Sequence, residues 1–140
     1  MNPDEKRLTE LNEGREKHVY TDTLGNRTIG VGHNLENGLT ERMIDFILSE
    51  DYSAAESAAL AVFPWLASLD AVRRAAVVDL VFNMGIAKVL KFRNTLKALE
   101  QGHWHAAGQG LRASLWFKQV GQRGPRIVGM IESGRWPWMS

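Results

Sequence analysis

Residues 12–33 read NEGREKHVYTDTLGNRTIGVGH, and within them one kind of local structure gives way to another. Upstream, Asn2 stands as an N-cap, Pro3 occupies the first helical position, and Asp4 and Glu5 place negative charge where the helix dipole favours it. Gly14 is a natural stop, so the pattern predicts a helix over about 3–13 with Glu13 in its last turn. Downstream, HVYT and RTIGVG are β-prone, Leu24-Gly25-Asn26 is turn chemistry, and no helical period survives. A hairpin or three-stranded sheet is expected over about 14–39.

Helical signals resume at Thr40, an N-cap followed by Met43, Ile44, Ile47 and Leu48 at three- and four-residue spacing. The pattern predicts one helix over about 40–62, stopped before Pro64 and about 30 Å long at 1.5 Å per residue, enough to join two lobes. Asp70 then caps a helix over 71–84, AVRRAAVVDLVFNM, which is apolar nearly all round after its first turn and so belongs at the centre of a bundle. Arg73 and Arg74, in that first turn, read as solvent charges. Further helices are expected over 93–100, 103–112, 114–119 and 123–133, with Gly102 and Gly134 as stops. The fold class is therefore α+β, with a first helix, a small β lobe, a long connecting helix, a larger helical lobe over about 66–140, and a cleft between unequal parts.

At 140 residues the chain suits a single compact domain. No stretch approaches the roughly 18 apolar residues of a membrane span, so stable membrane insertion is not expected. MNPDEKRLTE lacks the apolar core of a secretory signal, which predicts that any export depends on other machinery. Without cysteine, disulfides, thiolate catalysis and cysteine metal sites are excluded. Charge is lopsided: residues 1–60 hold 12 acidic and 6 basic side chains, a balance of −6, whereas residues 61–140 hold 4 and 11, a balance of +7. The second part should attract a polyanion. The bases are spread along several helices without a nucleic-acid motif, so nucleic acid is not the expected partner, and an acidic polymer such as bacterial cell wall fits as well.

Glu13 and Asp22 suggest a specific chemistry. A carboxyl at a helix C-terminus feels the negative end of the dipole, but that effect is only about 0.3–1 kcal/mol, under one pKa unit, so an acid working near neutral pH must owe most of its protonation to burial. Asp22, beside an exposed turn, is placed to stay ionised. One protonated and one ionised carboxyl are what cleavage of a glycosidic bond needs: the acid protonates the leaving oxygen, and the carboxylate works on the opposite face of the sugar. Nine residues of chain alone do not bring the two together.

The run Glu13-Gly14 … Tyr20-Thr21-Asp22-Thr23-x-Gly25 … Thr28-Ile29-Gly30-Val31-Gly32-His33 resembles the active-site segment of the phage-type lysozymes, the endolysins with which tailed phages cut peptidoglycan. The stretch Ser68–Ala76 with Val81-Phe82-Asn83-Met84-Gly85 resembles that family's central helix. Ser114-Leu115-Trp116-Phe117, Arg123-Gly124-Pro125-Arg126 and Gly134-Arg135-Trp136 resemble its C-terminal signature, in the same order.

This resemblance implies a lysozyme-like fold, whose helical lobe also takes in the first helix, and a muramidase that cuts the β-1,4 bond between N-acetylmuramic acid and N-acetylglucosamine without a metal or organic cofactor. Glu13 would be the general acid, Asp22 would position or activate water in an inverting reaction, and Thr28 would hold that water. Phe82, Asn83 and Thr95 match positions lining the sugar cleft, whereas two positions depart from the pattern: Asn34 stands where an apolar residue often contacts substrate, and Gly110 where an amide side chain often reaches it. Arg123 or Arg126 would pair with acids at the end of the first helix. The protein would be a monomer made in the host bacterial cytoplasm, acting on the wall in the periplasm after release, with a pore-forming holin as one route. Only NLENGL separates His33 from Thr40, so the β lobe is shorter than in longer family members.

Other readings accompany this one: a lytic transglycosylase using Glu13 alone, a wall-binding module without turnover, and membrane disruption by basic helices. His33, after a Gly-x-Gly bend, reads as a brace for the lobe's backbone. His103 and His105, two residues apart, point to different sides of a helix, so no metal site is expected there. Trp104, Trp116 and Trp136 read as core, while Trp136 and Trp138 could also stack on sugars.

Overall fold

A computed structural model describes residues 1–139. The fold is α+β, with eight α-helices and one three-stranded antiparallel sheet among the described residues. In chain order these are α1 (Pro3–Glu13), β1 (Glu16–Thr21), β2 (Arg27–Gly30), β3 (His33–Asn34), α2 (Glu41–Val62), α3 (Ala71–Met84), α4 (Ile86–Val89), α5 (Arg93–Glu100), α6 (Trp104–Arg112), α7 (Leu115–Gln119) and α8 (Arg123–Ser133). Short 3-10 turns occupy Leu35–Asn37 and Pro64–Ser68. The chain forms two compact units, Met1–Ile47 and the remainder from Leu48, with the division inside α2. α1 falls in the first unit.

In the first unit, α1 starts on a reciprocal cap. The Glu5 amide donates to Asn2 Oδ1 at 2.9 Å and the Asn2 amide donates to Glu5 Oε2 at 2.7 Å, satisfying two amides that the first turn leaves free. Gly14, at φ +79°, ends the helix directly after Glu13. The sheet runs β1-β2-β3, with Tyr20 opposite Thr28 and Thr21 opposite Arg27 on one side of β2, and Thr28 opposite Asn34 and Ile29 opposite His33 on the other. Thr28 thus sits in the central strand with a partner on either side, and only 3% of it is exposed. At the other end of this unit the Met43 amide donates to Thr40 Oγ1 at 3.2 Å, the cap expected for α2.

The second unit is built on α3. Val72, Ala76, Val77, Val78, Leu80 and Val81 are all buried, as a helix without a polar face requires. Leu66, Leu99, Leu111 and Ile131 close around them, each contributing about 1.5–3 kcal/mol by leaving water. α8 packs on α3 and α6, and α5 packs on α6. Asp70 caps α3, its Oδ2 accepting from the Arg73 amide at 3.0 Å. The short α4 was not anticipated.

Arg73 corrects the expectation of a solvent charge. Its side chain is only 15% exposed and lies 4.2 Å over the Trp104 ring. Nε donates to the Ile131 carbonyl at 2.7 Å and a terminal nitrogen donates to the Glu132 carbonyl at 3.3 Å. The guanidinium therefore caps the C-terminal end of α8, where free carbonyls and the dipole both favour a cation.

Candidate active site

The three residues singled out from the first stretch all belong to the first unit, and each is positioned by a different device. Glu13 is carried by the last turn of α1, and its side chain lies against the turn between β2 and β3. A Cβ built on Gly32 would stand 2.7 Å from Glu13 Oε2 and 2.9 Å from its carboxyl carbon. Gly30 and Gly32 both have φ +69°, so this turn needs glycine for its backbone, and at 32 also for the room it leaves the carboxyl. Glu13 is exposed, unlike the buried acid that the sequence argument calls for.

Asp22 begins the β1–β2 turn. Its Oδ1 accepts from the Leu24 amide at 2.9 Å and the Asn26 amide at 2.7 Å, while Oδ2 accepts only from Asn26 Nδ2 at 3.3 Å. The backbone hydrogen bond from Asn26, helped by that residue's side chain and the Leu24 amide, holds the Asp22 carboxyl below its ordinary range, against a smaller upward push from burial. Asp22 is thereby kept ionised, as a turn carboxylate should be. Oδ2 has the spare lone pairs.

Thr28 Oγ1 donates to the Asn26 carbonyl at 3.0 Å, and the Asp22 amide donates to the same carbonyl at 2.8 Å. Asn26 therefore ties Asp22 to Thr28 with its amide, side chain and carbonyl together. Sequence reading passed over it as part of the turn; an Asn four residues after an Asp, with Gly between, was the available signal. His33 Nε2 donates to the Gly38 carbonyl at 2.9 Å, bracing the lobe's backbone. Asn34 Oδ1 accepts from the Glu36 amide at 2.9 Å and caps the short turn that follows.

The other expected residues lie in the second unit. Phe82 and Asn83 are exposed at the end of α3, and Asn83 Oδ1 accepts from Trp116 Nε1 at 2.9 Å. Thr95 is buried, its hydroxyl packed over Gly110, so that a side chain at 110 would collide with it. Arg123 directs Nε to Asp79 Oδ2 at 2.8 Å and a terminal nitrogen to Asp79 Oδ1 at 3.0 Å. This two-point bond raises the guanidinium's proton affinity further, and Asp79, on α3, is a partner that the sequence did not suggest. Arg126 is exposed. No His, Asp and Glu cluster suited to a metal occurs among the described residues, and no helix there is long and apolar enough to cross a membrane.

The family model described as Phage lysozyme matches residues 10–132, which include all three residues of the first unit's site. Two proteins of Dictyostelium discoideum are similar along nearly their whole length. "Probable T4-type lysozyme 1" is 27% identical over 92% of this chain and 94% of its own, and "Probable T4-type lysozyme 2" is 28% identical with the same coverage. The pre-baseplate central spike protein Gp5 of Enterobacteria phage T4 is 26% identical over 96% of this chain but only 31% of its own length. With the match covering most of its length, and Glu13, Asp22 and Thr28 inside it, the chain belongs to the phage lysozyme family.

Proposed function

We propose that this protein hydrolyses peptidoglycan as a muramidase, cutting the β-1,4 bond between N-acetylmuramic acid and N-acetylglucosamine. The observation that carries the reading is the contrast between two carboxyls of one unit: Asp22 is locked as an anion by turn amides, whereas Glu13 lies free against a glycine turn. A sugar chain laid over this face excludes water, and a carboxyl cut off from water favours its protonated form. Glu13 then gives its proton to the glycosidic oxygen as the bond to the anomeric carbon breaks.

A water held by Thr28 attacks that carbon from the opposite face. Its proton passes to Asp22 Oδ2, the oxygen with spare lone pairs, and the outcome is inversion. Thr28 spends its hydroxyl hydrogen on the Asn26 carbonyl, so it meets the water as an acceptor. Within the second unit, Phe82 and Asn83 are exposed and are read as sugar contacts, while Thr95 secures the packing of α5 on α6. The polymer is bacterial, and the chain acts alone on it. We assign host-cell lysis, with synthesis in the bacterial cytoplasm and release to the periplasm through a holin, on the strength of the motif's likeness to endolysins.

Glu13→Gln tests the reading. It should retain the melting temperature and lose about 10²–10⁴-fold in wall-clearing rate, the range for removing a general acid. Full clearing by this variant would remove Glu13 from the chemistry, and anhydro-sugar ends in the wild-type digest, seen by mass spectrometry, would replace hydrolysis by transglycosylation.

A further inference from the structure

The residues after α8 place a large apolar ring in solvent, but they do not leave it loose. Trp138 is 76% exposed, and its ring stacks on Trp136 with centroids 5.2 Å apart and planes within 7°. Trp136 is half-buried against the helical core, so the inner ring is anchored and the outer face of Trp138 is held flat towards water. Two cavities meet here, of about 450 and 580 Å³, with Arg126, Met130, Trp136 and Pro137 in the walls of both. Tyr52, Trp138 and the paired Asp79 and Arg123 are also in the walls of the first cavity; Arg112, Arg135 and Glu132 line the second.

Charge in the second cavity is unbalanced. Its acid, Glu132, is already engaged by the Arg112 guanidinium and by His105 Nδ1 at 3.1 Å. Burial pushes the Glu132 carboxyl up, but these partners outweigh it and leave the group ionised. Arg126 and Arg135 have no acidic partner among the described residues. A fixed aromatic plane beside two free guanidiniums suits a ligand with an apolar ring face and a carboxylate.

We propose that this face is a second glycan-binding site, which seats a pyranose ring of the wall polymer on Trp138 and its acidic substituent on Arg126 and Arg135. The inference rests on the proposed substrate class, and it adds a grip that shares no residue with Glu13, Asp22 and Thr28. A pyranose offers a flat C–H face that an indole covers, and the excess of 11 basic over 4 acidic residues from 61 onward favours a polyanion. A lipid surface suits the site less well. The apolar residues Ile127, Val128, Met130 and Ile131 of α8 are buried, so the helix has no apolar face left to lay on a bilayer.

The test uses Glu13→Gln as a non-cleaving parent and measures its affinity for soluble, peptide-free glycan strands by calorimetry, with their carboxyls intact or reduced to alcohols. Adding Trp138→Ala should weaken binding to both strands at least fivefold, with Trp138→Phe restoring part of it. Adding Arg135→Gln should weaken binding only to the carboxylated strand. In the active chain, Trp138→Ala should leave turnover of a short soluble oligosaccharide unchanged. Unaltered strand affinity in both variants would overturn the proposal, as would a Trp138→Ala loss confined to anionic lipid vesicles. Wall clearing that survives Glu13→Gln would instead sink the proposed reaction, whatever the strands report.

Discussion

Replacing Gly32 by alanine should separate the position of the Glu13 carboxyl from the stability of the lobe that holds it. The added Cβ would lie 2.7 Å from Oε2, roughly 0.7 Å inside the ~3.4 Å at which ordinary contact begins. The carboxyl is the free end of a flexible side chain, so it moves and the turn stays. A second cost comes from the backbone, because φ is +69° and an L side chain there loses about 1–2 kcal/mol. For a domain of this size that is a fall of about 3–8 °C in Tm. Displacing an acid by a large fraction of an ångström costs up to about 10²-fold in turnover.

Gly30→Ala is the matched control. It has the same φ of +69° but nothing within 4 Å of the new methyl group. Thermal melts followed by circular dichroism should show similar losses for the two variants. Wall clearing, measured as the fall in turbidity of purified sacculi well below Tm, should collapse for Gly32→Ala alone. Equal activities would refute the argument that the Gly32 space positions the acid.

Asn26→Ala removes one of the hydrogen bonds that depress the Asp22 carboxyl, so the acid limb of the pH–rate profile should move up towards the ordinary value of 3.8. The sign follows from linkage: a depressed carboxyl adds stability that is present above its unfolded value and lost as pH falls through the folded one, so a downward move would contradict the assignment. Arg73→Leu leaves the Ile131 and Glu132 carbonyls without their donor and should cost about 2–3 kcal/mol, read as a lower midpoint in urea. An unchanged midpoint would show that water caps α8 equally well.

Local signals were legible wherever a side chain acts on its own turn. Asn2 with Glu5, Thr40 and Asp70 each form the cap that their positions suggested, and Gly14 and Gly134 end α1 and α8. The motif likewise placed Glu13 at a helix end and Thr28 in a strand. What stayed hidden depends on residues far apart in sequence. Arg73 looks like a solvent charge until α8, 58 residues later, presents its carbonyls, and Asp79 cannot be matched to Arg123, 44 residues away, from periodicity. Asn26 was missed for another reason: its amide and carbonyl bonds use main-chain groups that every residue carries, and only the side-chain bond to Asp22 could be signalled by residue type.

The contact between Arg73 and α8 also sets an order of events during synthesis. Until α8 has emerged from the ribosome, Arg73 on α3 has its local partner Asp70 but not the Ile131 and Glu132 carbonyls, and Ile127, Val128 and Ile131 are missing from the core. The nascent helical unit should therefore remain a loose, chaperone-accessible intermediate and lock only on the arrival of α8, while the sheet, whose hydrogen bonds span neighbouring residues, can settle early.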